Sequence, residues 1–150
     1  MTAIADNMQK YENYKEQSKR LNRAISAGFY LEALFIEFAI IEDRADSILL
    51  FENNSIKSDR FVSIDRKLKK IQKIAEQKKS LPNRYFSDDL IDRILLFKDE
   101  RNRMIHALMR QQLTTEELRD LALLGKELET TLCRRSTNYK RAAENSKKRR

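Results

Sequence analysis

The sequence predicts an all-α fold, an antiparallel up-and-down bundle of four to five helices. The 150 residues include only two Gly, one Pro and no Trp, and they are rich in Leu, Ile, Ala, Glu, Lys and Arg. This composition favours helices and provides few turns. A chain of this length fits one domain with a substantial hydrophobic core. Apolar residues recur every three or four positions between short polar breaks, and short connections make neighbouring helices antiparallel.

The first two predicted helices meet at Gly28. The first runs from about Asp6 to Ala27, and the second runs from about Phe29 to Phe51. The second has the apolar period of a helix that faces a core, so it is predicted to be the central helix. Its stripe consists of Leu31, Leu34, Phe38, Ile41, Ala45 and Ile48 or Leu49.

A third, highly charged helix is predicted from about Ser58 to Gln77, and we expect it to cover the core from outside. It follows a break at Asn53, Asn54 and Ser55, and its apolar stripe is Phe61, Ile64, Leu68, Ile71 and Ala75. The proline-bearing segment 80–83 is predicted to be a loop. Ser87, with two acids after it, is expected to cap a fourth helix from about Asp88 to Met109.

Thr114 and Glu117 have the spacing of a capping box, which predicts the start of a fifth helix with leucines at three- and four-residue spacing. The net charge of +8 is mostly placed after this stripe, because residues 134–150 contain eight Lys or Arg and one Glu. We therefore expect a helical domain over 1–133 and a basic tail over 134–150, which is either a helical extension or disordered.

Several classes of protein are not expected. The single cysteine, Cys133, cannot form an intramolecular disulfide, and no Cys and His residues have zinc-ligand spacing. Neither a metal nor a cofactor is predicted. The longest apolar run, from Ala33 to Ile41, is interrupted by Glu37 and is too short to span a bilayer. The sequence thus predicts a soluble, cytoplasmic protein without membrane contact.

One arginine interrupts the apolar stripe of the fourth predicted helix. Arg101 occupies an inward position between Phe97 and Met104, and an unpaired buried guanidinium would cost on the order of several kcal/mol. The single histidine, His106, lies five positions later, about 140° around an ideal helix. Histidine is the side chain that titrates nearest to neutral pH. Asn102 precedes it by four residues, so its amide is expected to hold the imidazole.

The segment Arg101-Asn-Arg-Met-Ile-His106 resembles the R-x4-H motif, often R-N-x3-H, of the HEPN superfamily. The resemblance extends to helix order: a first helix ending in small residues, a long apolar helix opening at Gly28, and the motif on the penultimate helix. It covers about residues 6–133. A HEPN-like bundle is therefore the expected fold.

The resemblance implies a homodimer in which paired fourth helices bring two Arg101 and His106 sets into one cleft. It further implies a metal-independent endoribonuclease that leaves 2′,3′-cyclic phosphate and 5′-hydroxyl ends. Many relatives are toxins or components of phage defence, which implies a possible antitoxin or regulator protein as a partner. Toxins paired with a nucleotidyltransferase antitoxin have a tyrosine two residues after the histidine, but this chain has Leu108. Regulation by modification at that site is therefore not expected.

The remaining candidates support this catalytic pair. A carboxylate of the second helix, Glu42 in preference to Glu37, is expected to orient the guanidinium or the imidazole, with a surface ion pair as the other interpretation. Basic residues are expected to contact RNA phosphates. They are Arg103, Arg110, Arg134, Arg135, Lys147, Lys148, Arg149 and Arg150. Two other classes stay open: a non-catalytic helical dimer that binds nucleic acid, and a helical adaptor or antitoxin that binds only a protein.

Overall fold

The computed structural model describes residues 6–52 and 62–149, and this part of the chain is all-helical. It contains six helices, one more than the upper number expected from the sequence. They are α1 (Asn7–Ala27), α2 (Tyr30–Phe51), α3 (Ile64–Ala75), α4 (Leu81–Phe86), α5 (Leu90–Ala107) and α6 (Thr115–Lys148). None of them is both long and apolar enough to cross a bilayer.

Helices α2 and α6 form the centre of the molecule. They make the most extensive contact of any two helices in the described part of the chain; α1 and α3 lie against α2, and α4 and α5 lie against α6. The predicted central position of the second helix is thus confirmed. The buried surface of α2 is wider than the predicted stripe, because residues such as Ile36 and Ile40 are also buried. One member of the predicted stripe, Leu31, is instead 44% exposed.

Two predicted helix boundaries are confirmed in detail. Gly28 ends α1 in the left-handed conformation, with φ of 81°, and its N–H bonds to carbonyls of the last turn. The Thr114 side chain accepts a hydrogen bond from the Glu117 N–H, and the Glu117 carboxylate accepts one from the Thr114 N–H. The fifth predicted helix starts at this capping box. It then continues through the basic segment to Lys148.

The predicted loop at 80–83 is wrong, because the chain forms the short helix α4 there. The Ser80 hydroxyl accepts a hydrogen bond from the Asn83 N–H at 3.2 Å, and Pro82 sits in the first turn, where its missing N–H has no cost. Phe86 of this helix is buried. Thus α4 adds a large aromatic side chain to the core.

The predicted N-cap role of Ser87 is also wrong. Ser87 follows the last residue of α4 as its C-cap, and α5 begins after Asp89 without a capping side chain. Asp88 contributes here instead, since its carboxylate accepts a hydrogen bond from the Leu90 N–H at 3.3 Å. Helix α5 ends at Ala107, two residues before the predicted end.

The buried stripe of α3 matches its prediction over Ile64, Leu68, Ile71 and Ala75. In the structure the helix begins after Ser63, whose hydroxyl accepts a hydrogen bond from the Arg66 N–H at 3.4 Å. The predicted start at Ser58, the predicted break and Phe61 lie outside the described residues.

Candidate active site on helix α5

Arg101 lies half-buried on α5, facing α2. Its guanidinium carbon is 4.2 Å from the centroid of the Phe38 ring, a cation–π arrangement. Nη1 donates a hydrogen bond to Asn102 Oδ1 at 3.1 Å, whereas Nε is buried without a partner among the described residues. Burial lowers the pKa of Arg101 from its ordinary value. The guanidinium is therefore held in place by a ring and an amide, with no ion pair to a carboxylate in the described part of the chain.

His106 lies in the last turn of α5 and is exposed. Its imidazole makes no hydrogen bond to any residue that the structure describes. Exposed apolar side chains surround it in sequence: Ile105 and Leu108 are 38% and 36% exposed, and Met109 is 96% exposed. The histidine therefore belongs to an apolar, solvent-facing end of α5.

The predicted supporting residues have other partners. Asn102 bonds to the guanidinium rather than to the imidazole. The Glu42 carboxylate lies 3.4 Å from Lys67 Nζ, which also pairs with Asp46 at 3.1 Å. Glu42 and Asn102 nevertheless line one depression of about 300 Å³, together with Phe38, Ser63, Ile64, Asp65 and Lys98. Arg101 contacts two of the lining residues, Asn102 and Phe38, but within one chain neither Arg101 nor His106 is part of the lining.

Glu37 is the most deeply buried carboxyl group in the described part of the molecule. It is 0% exposed, and neither of its oxygens has a hydrogen-bond partner among the described residues. It points at α6, where a side chain on Gly125 would collide with it and with the Phe97 ring. Burial, helped by the negative charge of Glu129, raises the pKa of Glu37 to about 9. Glu37 is therefore a protonated core residue at neutral pH.

Glu129, the neighbouring buried acid on α6, has three polar partners. Lys126 Nζ lies 3.2 Å from its carboxylate, and the Thr130 hydroxyl donates a hydrogen bond to it at 3.2 Å. The Cys133 thiol donates at 3.8 Å, and burial together with the Glu129 charge raises the pKa of Cys133 to about 12. The thiol is thus neutral and a poor nucleophile.

The candidate RNA-binding residues fall into two groups. Arg135 is a structural residue, because it pairs with Asp88 at 2.6 Å and donates a hydrogen bond to the Tyr85 carbonyl at 3.2 Å. Arg103 is paired with Glu100 on its own helix. Exposed positions are occupied by Arg110, Arg134, Lys147, Lys148 and Arg149. Arg150 lies outside the described residues.

A polar cluster between α1 and α2 is not predicted from the sequence, because its members come together from three different helices. The Tyr14 hydroxyl donates a short hydrogen bond to Asp43 and accepts one from Arg44 Nε at 2.7 Å. Burial and this hydrogen bond to Asp43 raise the pKa of Tyr14. Lys10 pairs with Asp43 at 3.3 Å, and Lys140 of α6 donates a short hydrogen bond to Ser47. No spacing of residues along one helix predicts such a cluster.

No three His, Cys, Asp or Glu side chains within 6–52 and 62–149 are placed to hold a metal ion. Comparison of the chain with known family models, curated proteins and solved structures finds no significant match.

Proposed function

We propose that the chain is a metal-independent endoribonuclease of HEPN type, with Arg101 and His106 as its catalytic residues. The observation that carries the proposal is the state of Arg101. This cation is half-buried on the inward stripe of α5, lacks a carboxylate partner in the described structure, and is stacked on Phe38. Because leaving a desolvated charge uncompensated is costly, an anionic ligand would complete the site. A phosphate of RNA fits this requirement and the planar guanidinium.

The chemistry follows from the two side chains. His106 removes the proton from a ribose 2′-hydroxyl, whose oxygen then attacks the adjacent phosphorus. The bond from phosphorus to O5′ breaks, and O5′ takes up a proton from an imidazolium. Arg101 stabilises the charge that grows on the phosphoryl oxygens. The products are a 2′,3′-cyclic phosphate and a 5′-hydroxyl end, and DNA is resistant because it lacks the 2′-hydroxyl.

The proposal includes a homodimer, because within a single chain the Arg101 guanidinium and the His106 imidazole face different surroundings. Arg101 faces α2, whereas His106 is directed to solvent among exposed apolar residues at the end of α5. Pairing of this end with a second copy would cover Ile105, Leu108 and Met109 and place two imidazoles near two guanidinium groups. A role as a toxin or phage-defence component, held in check by an antitoxin or regulator protein, belongs to the same proposal.

The decisive experiment incubates the purified protein with single-stranded RNA in EDTA and identifies the ends of the fragments. We expect 2′,3′-cyclic phosphate and 5′-hydroxyl ends. His106→Ala should abolish cutting, and Arg101→Lys should lower the rate about 100-fold, because lysine keeps the charge but loses the stacked, planar geometry. Arg93→Lys is the matched control. Arg93 is an arginine of the same helix that pairs with Glu127 at its surface, so its replacement should leave the rate unchanged.

The oligomeric state is measured on the same preparations by sedimentation velocity. We expect a dimer for the wild type and for His106→Ala, and a shift toward monomer for Met109→Asp. Binding of RNA without cutting by a dimer would favour the non-catalytic interpretation. Equal cutting by the wild type and His106→Ala would overturn the proposed chemistry.

A further inference from the structure

A groove of about 620 Å³ runs between α1 and α2. Its α1 wall is polar and presents Lys10, Asn13, Gln17 and Arg20 at helical spacing. Its α2 wall is mainly apolar, with Phe35, Ile36, Ala39 and Ile40, and ends at Asp43. From residue 35 to residue 43 this wall is about 12 Å long. The groove thus has an apolar wall on α2 that faces a row of amide and cationic side chains on α1.

Phe35 is the unusual member of the apolar wall. Its side chain is 70% exposed, although Ile36 and Ile40 beside it are buried. An exposed aromatic ring at the edge of a groove provides a surface on which a nucleobase can stack. The amides of Asn13 and Gln17 across the groove have both donors and acceptors, so they suit the hydrogen-bonding edge of a base.

One end of the groove carries surplus positive charge. Lys10 lines this end of the groove, and Arg44 and Lys140 lie beside it without being part of its lining. Asp43 is the one carboxylate within ion-pair distance of any of the three in the described chain, and Glu144 also acts on Lys140 from a longer distance. Lys140 is held by the Ser47 hydroxyl and has no acidic partner at that distance. Burial and the neighbouring charges of Arg44 and Lys10 lower the pKa of Lys140. The three cations Lys10, Arg44 and Lys140 therefore outnumber the two nearby acids, Asp43 and Glu144.

The groove and the candidate active site use neighbouring positions of α2. Phe35 and Phe38 stand on adjacent turns of α2, three residues apart. Phe35 lines the groove, whereas Phe38 lies beneath the Arg101 guanidinium. A nucleobase that stacks on Phe35 is consequently one turn of α2 away from Phe38, the ring that the Arg101 guanidinium covers.

We propose that this groove binds a short stretch of single-stranded RNA, with a base stacked on Phe35 and a phosphate at the Lys10, Arg44 and Lys140 end. The proposal deepens the proposed nuclease function and rests on it for the identity of the ligand. It also specifies the form of the substrate, because bases within a duplex are not free to stack on a side chain.

The test measures binding separately from cutting. All variants are made in the full chain with His106→Ala, and fluorescence anisotropy follows a labelled single-stranded oligoribonucleotide in EDTA. We expect Phe35→Ala to weaken binding at least about fivefold, since base stacking on aromatic residues contributes at this scale. Leu96→Ala is the matched control, because Leu96 is 68% exposed on α5. It should leave the dissociation constant within about twofold.

The charged end is tested by salt dependence. Lys140→Gln should reduce the slope of log affinity against log salt by roughly one, as expected for one lost phosphate contact. Lys69→Gln, an exposed residue of α3 that does not line the groove, should leave the slope unchanged. Circular dichroism melts of each variant establish that the fold is retained.

The outcomes separate the two proposals. If the wild type cuts RNA but Phe35→Ala and Lys140→Gln bind as tightly as their parent, the groove proposal is overturned and the nuclease stands. If binding depends on both residues but the wild type does not cut, the groove stands and the nuclease is overturned. Absence of any binding to single-stranded RNA, or equal binding to a duplex of the same sequence, also overturns the groove proposal.

Discussion

The buried carboxyl group of Glu37 makes the stability of this protein depend on pH in an unusual direction. Its pKa rises from an ordinary value of 4.5 to about 9 on folding. The folded state therefore holds a proton that the unfolded state releases above about pH 4.5. Because the unfolded state binds fewer protons between these two values, stability falls as the pH rises through this window.

Replacement of Glu37 by glutamine should remove this dependence. Near pH 7 the protonation of Glu37 costs the folded state on the order of 3 kcal/mol, so Glu37→Gln should raise the melting temperature by several degrees relative to wild type. The difference should be small near pH 4 and grow toward pH 9. Thermal melts across this range measure it, with Glu32→Gln, an exposed position on the same helix, as the control. A difference independent of pH would mean that Glu37 is ionised in the core.

At this scale the sequence predicts which residues are unusual better than it predicts their partners. The position of Arg101 in an apolar stripe singles it out, and the structure does place it half-buried. The surroundings of Glu37 and the ion pair of Glu42 depend on where α6 and α3 lie. Gly125 within the leucine stripe is a local signal of close helix approach, but nothing in the chain says that Glu37 is what approaches it.

Among the helices, α6 begins at a capping box formed by Thr114 and Glu117. It is 34 residues long, and its first turn is fixed by the reciprocal hydrogen bonds of Thr114 and Glu117. The residues that follow this turn pack on α2, α4 and α5, so fraying at this end would weaken the packing of α6.

Removal of the cap should therefore be measurable. Thr114→Ala loses the side-chain acceptor for the Glu117 N–H and should lower the free energy of unfolding by about 1 kcal/mol. Urea unfolding followed by circular dichroism gives the value. Thr115→Ala, one position inside the helix and exposed, is the control and should change stability by a few tenths of a kcal/mol. Equal losses for both would show that the capping box does not stabilise this end.

Element type is read from the sequence more securely than element boundaries. The long helices α1, α2 and α6 follow from their apolar period and end signals. The short helix α4 has too few residues for a period, so it is hidden in the segment around the proline. The same omission led to the misassignment of Ser87, because a serine followed by acids resembles an N-cap whether or not another helix precedes it.

For the whole molecule, the basic C-terminal segment is not separable from the core. Tyr139 is fully buried, and its ring lies 5.3 Å from Phe51, 5.4 Å from Phe86 and 6.2 Å from Tyr85 by centroid distances. This aromatic cluster joins α2, α4 and α6. The segment after residue 133 thus contributes both exposed charge and a large part of the packing at this end.

Two truncations should distinguish these contributions. A chain that ends at residue 143 keeps Tyr139 and should unfold cooperatively with stability within about 1 kcal/mol of the full chain, since residues 144–149 are exposed. A chain that ends at residue 133 loses the buried ring and should lose at least about 3 kcal/mol. Urea denaturation measures both. Equal stability of the two truncations would contradict the central position of Tyr139.

The all-helical architecture could be predicted because composition and period agree along the chain. The predicted division into a bundle and a tail rests on the distribution of charge. Charge alone does not reveal that Tyr139 of this segment is buried in the core. The candidate site could be predicted from the sequence only in part. Its motif residues are visible in sequence, but the ring beneath Arg101, the groove beside Phe35 and the cation cluster require tertiary contacts over some 30 to 100 residues.

The hydrogen bond from Cys133 to Glu129 bears on how the protein can be labelled. With a thiol pKa of about 12, the native cysteine has almost no thiolate at neutral pH and reacts slowly with maleimides and iodoacetamides. A cysteine introduced at an exposed position such as Lys69 would be modified first. Fluorophores or spin probes can therefore be attached at chosen positions while the natural cysteine stays in place.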